Sequence, residues 1–280
     1  MTIASLLTED QLRRLSQRLV AIPGVAGVML GGSRARGDYA ADSDVDLGLY
    51  YRPPLDIAGL GKLAREVADS QAKVTERGAW GAWVDGGAWL TIADTALDWL
   101  YRDLDRVHLS CQNALQGRVD FHFQVGHPMG VLETSYAGEI ALGVVLADPS
   151  GELLALQRQV ATYPAALGDE FIARLWEAGF ILDGLPKVAS RGDTVYVAGC
   201  LFRVVELCAY ALHGRAGRWL INEKGAVASA GRLPQAPADF VDRANGVLAH
   251  LGAESEDLAA AITRAAQLFA DVRDACNTRR

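Results

Sequence analysis

Two short apolar runs bracket the segment that most restricts what this chain can become. Val25 to Leu30 and Asp44 to Tyr51 read as strands, and Pro53-Pro54 closes the second. Between them the chain runs Gly32-Ser33-Arg34-Ala35-Arg36-Gly37-Asp38-Tyr39-Ala40-Ala41-Asp42-Ser43, and the second strand opens Asp44-Val45-Asp46-Leu47. Glycine lets main-chain amides come close to a ligand. Ser33 adds a hydroxyl, and amides arrayed in such a turn make a phosphate cradle. Asp44 and Asp46 stand at i and i+2 of a strand, so both carboxylates project from one face beside that cradle. Two such anions repel one another. A divalent cation resolves the conflict, and ligation by oxygen alone favours magnesium over zinc. A lone Gly-Ser or a lone Asp-x-Asp reads as a solvated turn. The two together, flanked by strands, do not.

The rest of the chain supplies a body for this segment. Its 280 residues allow two domains or one large one. Half of them are hydrophobic and 22% are charged, which excludes disorder for the bulk of the chain. A net charge of -7 argues against a general nucleic-acid binder, which is usually basic. Cys111, Cys200, Cys208 and Cys276 lie far apart, in no metal-site spacing, and read as reduced thiols. The first residues carry acids and no signal pattern. No apolar run approaches the length of a membrane span. The expected setting is the cytoplasm, without a membrane partner.

Thr8 to Val20 reads as an amphipathic helix, with Thr8 and Gln11 at capping-box spacing and Leu12, Leu15 and Leu19 as its buried stripe. Leu60 to Val67 also looks helical. Trp80 to Val84, Ala88 to Ile92 and Ala96 to Arg102 read as three adjacent strands joined by Asp85-Gly86-Gly87 and Ala93-Asp94-Thr95. Val119, Phe121, Phe123 and Val125 alternate with polar residues and predict one more half-buried strand. Beyond about residue 150, helix patterns follow one another at 151–161, 169–182, 194–213, 237–251 and 256–275. The expected fold class is α+β. A small mixed sheet with flanking helices occupies 1–150, and a helical bundle occupies 151–280.

The string GSRARGDYAADSDVDL resembles the nucleotidyltransferase superfamily that includes DNA polymerase beta and the antibiotic nucleotidyltransferases. Locally it is most similar to the minimal nucleotidyltransferases of toxin–antitoxin pairs. Gly32, Ser33, Asp44 and Asp46 match the motif. The resemblance is detailed over about 25–50 and looser to about 105. It implies that Gly32, Ser33 and neighbouring amides bind triphosphate, that Asp44 and Asp46 bind magnesium, and that a third carboxylate follows on an adjacent strand.

Candidates for that acid are Asp85, Asp94, Asp98, Asp103 and Asp105. Asp85 and Asp94 fall in predicted turns, while Asp103 and Asp105 follow the strand, facing solvent or capping a helix. Asp98 sits inside Ala96-Leu97-Asp98-Trp99-Leu100-Tyr101, where a buried carboxylate is costly unless paired or metal-bound. It is therefore the candidate third acid, as metal ligand, general base or both. The competing reading is an ion pair with Arg102 or Arg34.

Arg34 and Arg36 each have two readings, contact with triphosphate or pairing with Asp38 or Asp42. Arg36 is carried as a nucleotide-binding candidate. Asp38 and Asp42 read as loop or capping acids. The resemblance also implies a phosphate-binding lysine from the helical half, for which Lys224 is the candidate; a solvated loop lysine is its rival reading. Glu206 reads as a base or acceptor anchor, or as a partner of Arg203. The histidines make no metal site, and Trp80, Trp83, Trp89 and Trp99 read mainly as packing, with stacking on a base or sugar as the second use.

These features predict an enzyme that moves a nucleoside monophosphate from a nucleoside triphosphate, ATP first, to a hydroxyl of a small-molecule acceptor such as an antibiotic. The acceptor is expected in the cleft between the two halves. The alternatives are a protein adenylyltransferase of toxin–antitoxin type and a non-catalytic nucleotide-binding protein. Nucleic acid is not an expected partner.

Overall fold

The computed structural model describes residues 7–37 and 43–277; Asp38 and Asp42 lie outside them. These residues divide into two compact units. The first comprises residues up to 112 together with 122–126 and 133–162; the second comprises 113–121, 127–132 and 163 onward. The chain thus passes between units through 113–132. Residues 151–162 belong to the first unit, whereas the change in sequence texture places the transition near 150.

The first unit opens with α1 (Glu9–Val20), whose N-cap Thr8 forms a full capping box with Gln11. Strand β1 (Val25–Leu30) leads into the short helix α2 (Gly32–Arg36), then β2 (Val45–Tyr51), α3 (Ile57–Val67) and the hairpin β3 (Gly87–Ile92) and β4 (Thr95–Asp103). Ala93 and Asp94 both take positive φ in the hairpin turn, as a two-residue connection with the right twist demands. Along the chain there follow α4 (Leu104–Gln116) and β5 (Phe121–His122), each divided between the two units, β6 (Val131–Leu132) of the second unit, and then α5 (Ser135–Leu142), β7 (Val144–Ala147) and α6 (Glu152–Gln159) of the first. Five strands form one mixed sheet in the order β3-β4-β2-β1-β7. Only β2 and β4 pair in parallel; the other neighbours are antiparallel.

One face of this sheet is apolar. Val45, Leu47, Leu49 and Tyr51 of β2 join Leu97, Trp99 and Tyr101 of β4 and Ala88 and Leu90 of β3. Leu12, Leu15 and Leu19 of α1 and Leu60, Leu63 and Ala64 of α3 cover them. The period-two alternation that buries these residues sends Asp46, Gly48 and Tyr50 of β2, and Asp98, Leu100 and Arg102 of β4, to the opposite face.

Of the predicted strands, one does not form among the described residues and another is cut to two residues. Residues 80–84 form a loop, and only Phe121–His122 of 119–125 is extended. The reason is Gln124, 3% exposed. Its carboxamide takes the place of a strand partner: Nε2 donates to the Trp80 carbonyl at 2.6 Å, and Oε1 accepts from the Trp83 and Val84 amides at 3.0 and 3.1 Å. With Gln124 inward, Phe123 and Val125 point out, 88% and 72% exposed, so the expected burial alternation is reversed over 123–125, while Val119 is buried as expected. Conversely α4, α5 and β7 appear where no element is predicted.

The second unit is helical: α7 (Ala165–Ala173), α8 (Leu175–Ala189), α9 (Thr194–Ala216), α10 (Ala226–Ala230), α11 (Phe240–Ala249) and α12 (Ser255–Asn277). The predicted helix over 169–182 is two helices, broken at Arg174, whose guanidinium bonds the Val119 carbonyl and Glu170. Helix α9 is central and packs against α7, α8, α10, α11 and α12. Among the described residues it is the one helix long and apolar enough to cross a membrane, where the sequence reading found no apolar run of that length. In this structure most of its apolar stretch is buried inside the unit.

Candidate active site

The candidate site lies on the polar face of the first unit's sheet. The ladder between β2 and β4 sets Asp46 directly beside Asp98. In a parallel pair, residues in register project from the same face, and the strands are about 4.8 Å apart. The two carboxylates therefore stand side by side, both half-buried. Asp44 is exposed and lies two residues ahead of Asp46, just outside β2.

On the other side of Asp46 stands Gly32, the first residue of α2. It holds φ at +62°, and a Cβ there would collide with Asp46 Oδ2. Position 32 therefore admits only glycine if the carboxylate is to stay where it is. The Gly31 amide donates to the Asp46 carbonyl at 2.8 Å, pinning the turn to β2. Ser33 follows in the first helical turn, where a helix leaves its amides without partners along the helix. The segment expected as an open turn is thus partly this short helix.

Arg34 bridges α2 to the start of β2. Its guanidinium donates to the Ser43 carbonyl at 2.6 Å and to the Asp44 carbonyl at 3.2 Å. It fixes the main chain that carries Asp44. Arg36 is exposed in the last turn of α2.

The other candidate acids have separate places. Asp85 accepts from the Tyr51 hydroxyl and from the Gly78 amide at 2.8 Å, so it ties a loop and is not a solvated turn residue. Burial, helped by the Asp85 hydrogen bond, pushes the Tyr51 hydroxyl well above its usual range. Asp94 lies in the hairpin turn. Asp103 projects from the face opposite Asp98 and accepts from the Asp105 amide at 3.0 Å as α4 begins. Asp105 pairs with Arg52 at 2.5 Å.

Arg102, the expected rival partner of Asp98, makes a bidentate pair with Glu139 of α5 at 2.6 and 2.8 Å, below the Tyr136 ring. Burial works against the charge on Arg102, but the facing Glu139 carboxylate outweighs it and raises the guanidinium's pKa. Tyr50 packs over Gly48 on the same sheet face and is held neutral by burial and the nearby Glu139 charge.

Asp46 and Asp98 offer an all-oxygen donor pair suited to a hard divalent cation, whose remaining positions phosphate oxygens and water can fill. Among the described residues, no group of three or more His, Cys, Asp or Glu side chains is arranged to hold a metal by itself.

In the second unit, Lys224 is exposed on the loop before α10. Glu206 does not pair with Arg203, which bonds Glu177 and lies over the Phe121 ring. Instead Glu206 is 5% exposed, and its Oε2 has no hydrogen-bond partner. Burial first, and the charge of Glu223 second, push its carboxyl up to about 8. Glu223 goes the other way. Burial raises it, but His127, at 3.4 Å, and main-chain amides prevail and lower its pKa. His108 bonds Glu152 at 2.6 Å and His122 stacks on Trp83, so neither completes a metal site.

The model of a family described as "Nucleotidyltransferase domain" matches residues 11–78, which take in most of α1 but not its cap, the Gly32-Ser33 turn and the Asp44–Asp46 pair. Among solved structures the chain is similar to a nucleotidyltransferase-like protein from Exiguobacterium sibiricum 255-15. The TM-score is 0.45 at 10% identity, over 94% of this chain and 74% of that one. No curated protein matches.

Proposed function

We propose that this chain, whose residues 11–78 match a nucleotidyltransferase domain, is an enzyme that moves a nucleoside monophosphate from a nucleoside triphosphate, ATP first, to a hydroxyl of a small-molecule acceptor. The observation that carries the reading is the row Gly32–Asp46–Asp98, a glycine turn pressed on one carboxylate with a second carboxylate in register beside it. Asp44 and Asp46, with Asp98, are the proposed holders of magnesium. When bound, that ion neutralises phosphate charge and favours the developing charge at the reacting phosphorus.

Each residue then has a task. Ser33 and the adjacent amides hold the terminal phosphates, while Arg34 keeps Asp44 in place through the main chain. Asp98 takes the proton from the acceptor hydroxyl. The acceptor oxygen forms its bond to the α-phosphorus as the bond to pyrophosphate breaks, in line.

The test is a screen of four nucleoside triphosphates against hydroxyl-bearing small molecules, read by pyrophosphate release and product mass, with magnesium or with chelator. The expected product is acceptor plus one nucleoside monophosphate, formed only with the metal. No triphosphate binding by calorimetry in either condition would sink the reading.

A further inference from the structure

The row of the candidate site does not end at Asp98. On its far side β3 pairs with β4, and the residue in register with Asp98 is Trp89. Trp89 therefore projects from the same sheet face, one strand beyond Asp98 and two beyond Asp46, about 10 Å from the latter by strand spacing. It is 71% exposed, on the edge strand of the sheet. Tryptophan gains much from burial, so an indole left this open has forgone a large share of that gain.

Trp89 is also held. Trp80 stacks on it with ring centroids 4.5 Å apart and planes 16° from parallel. Trp80 is in turn fixed by the Gln124 carboxamide on its carbonyl. A built, nearly parallel pair of indoles thus extends the carboxylate row at the end away from Gly32.

In-line transfer gives that end a meaning. The attacking oxygen and the departing pyrophosphate must lie on opposite sides of the α-phosphorus. With pyrophosphate at Ser33, the acceptor approaches from the side of Asp98 and Trp89. We propose that Trp89, backed by Trp80, is the acceptor's platform: the acceptor presents a hydroxyl-bearing ring with a flat apolar face, saccharide or aromatic, which stacks on the indole while its hydroxyl meets Asp98. This rests on the nucleotidyl-transfer reading and adds to it the acceptor's chemical class.

The experiment uses the full chain, wild type, Trp89→Ala and Trp89→Phe. Calorimetry with magnesium and each of four triphosphates comes first. Saturation-transfer NMR follows, with the α,β-methylene analogue of the tightest triphosphate present and two probes, methyl α-D-glucopyranoside and 4-hydroxybenzyl alcohol. Triphosphate affinity is expected to stay within twofold in Trp89→Ala. Saturation of the ring protons of at least one probe is expected in wild type, lost in Trp89→Ala and partly restored in Trp89→Phe; which probe responds tells saccharide from aromatic. A tenfold loss of triphosphate affinity in Trp89→Ala would assign the platform to the nucleobase and overturn the proposal. So would a probe signal that is equal in wild type and Trp89→Ala, or absent for both probes. If wild type binds no triphosphate, the transfer reading fails at the first step and the platform falls with it. Triphosphate binding without probe saturation fails the platform alone.

Discussion

Single residues decide most of this site, and their substitutions separate its parts. Asp46→Asn and Asp44→Asn keep size and remove charge, so each is expected to lower transfer by about 10²–10³-fold. Thermal stability should hold or rise, because carboxylate repulsion is relieved. Wild-type turnover in either variant would reject the carboxylate site. Asp98→Asn should depress turnover as strongly while triphosphate affinity survives better than in Asp44→Asn. Asp103→Asn is the control: its carboxylate projects from the other face and caps α4, so turnover should stay within twofold. Gly32→Ala would place a methyl against Asp46 Oδ2 at positive φ. Triphosphate affinity is expected to fall at least tenfold, and unchanged calorimetric binding would show that the Gly32–Asp46 contact is not used.

At the scale of elements, the sequence was most legible where one signal determined the outcome. The capping box at Thr8 and the leucine stripe of α1, the strands around Gly32-Ser33 and the hairpin turn at Ala93-Asp94 all carry local chemistry that allows few alternatives. Asp98 could be picked out because it interrupts an apolar run, and the ladder sets it beside Asp46. Residues 80–84 and 119–125 misled because alternation cannot reveal that one side chain, Gln124, satisfies the backbone that a neighbouring strand would otherwise pair. The pairing of Arg102 with Glu139 was hidden for a similar reason: the partners lie on β4 and α5, and only the fold brings them together. Breaking that pair leaves a buried charge, so Glu139→Gln is expected to cost about 3–5 kcal/mol in denaturant unfolding. A loss under 1 kcal/mol, in the range of about 0–1 kcal/mol typical of exposed pairs, would show that water replaces the carboxylate.

Over the whole molecule, two cores carry two different dependences on solution conditions. The first unit's core lies under the carboxylate row; the second unit is built around α9, which buries Glu206. The folded pKa of Glu206, about 8, lies above its ordinary value of 4.5. The folded state therefore binds the extra proton, and its contribution to stability is full below pH 4.5 and lost as pH rises through about 8. Glu206→Gln removes the titration, so its thermal midpoint should exceed that of wild type at pH 9 and converge with it near pH 5. Each kcal/mol is worth roughly 2–4 °C in a chain of this size. On the proposed function, a triphosphate with magnesium acts elsewhere. At a hundredfold excess over Kd it should add about 2.7 kcal/mol to whatever unfolds with its site. Hydrogen exchange distinguishes the two effects. The ligand should slow exchange in β1, α2, β2 and β4, and Asp46→Asn should abolish that slowing. Raising the pH from 6 to 9 quickens the intrinsic exchange of every amide, so the reading is the protection factor: it should fall in α9 of wild type and hold in Glu206→Gln. If the pH rise lowers protection in α9 equally in both proteins, Glu206 is not the group that titrates; if Asp46→Asn retains ligand protection in β2, the phosphates are held somewhere other than beside the carboxylate row.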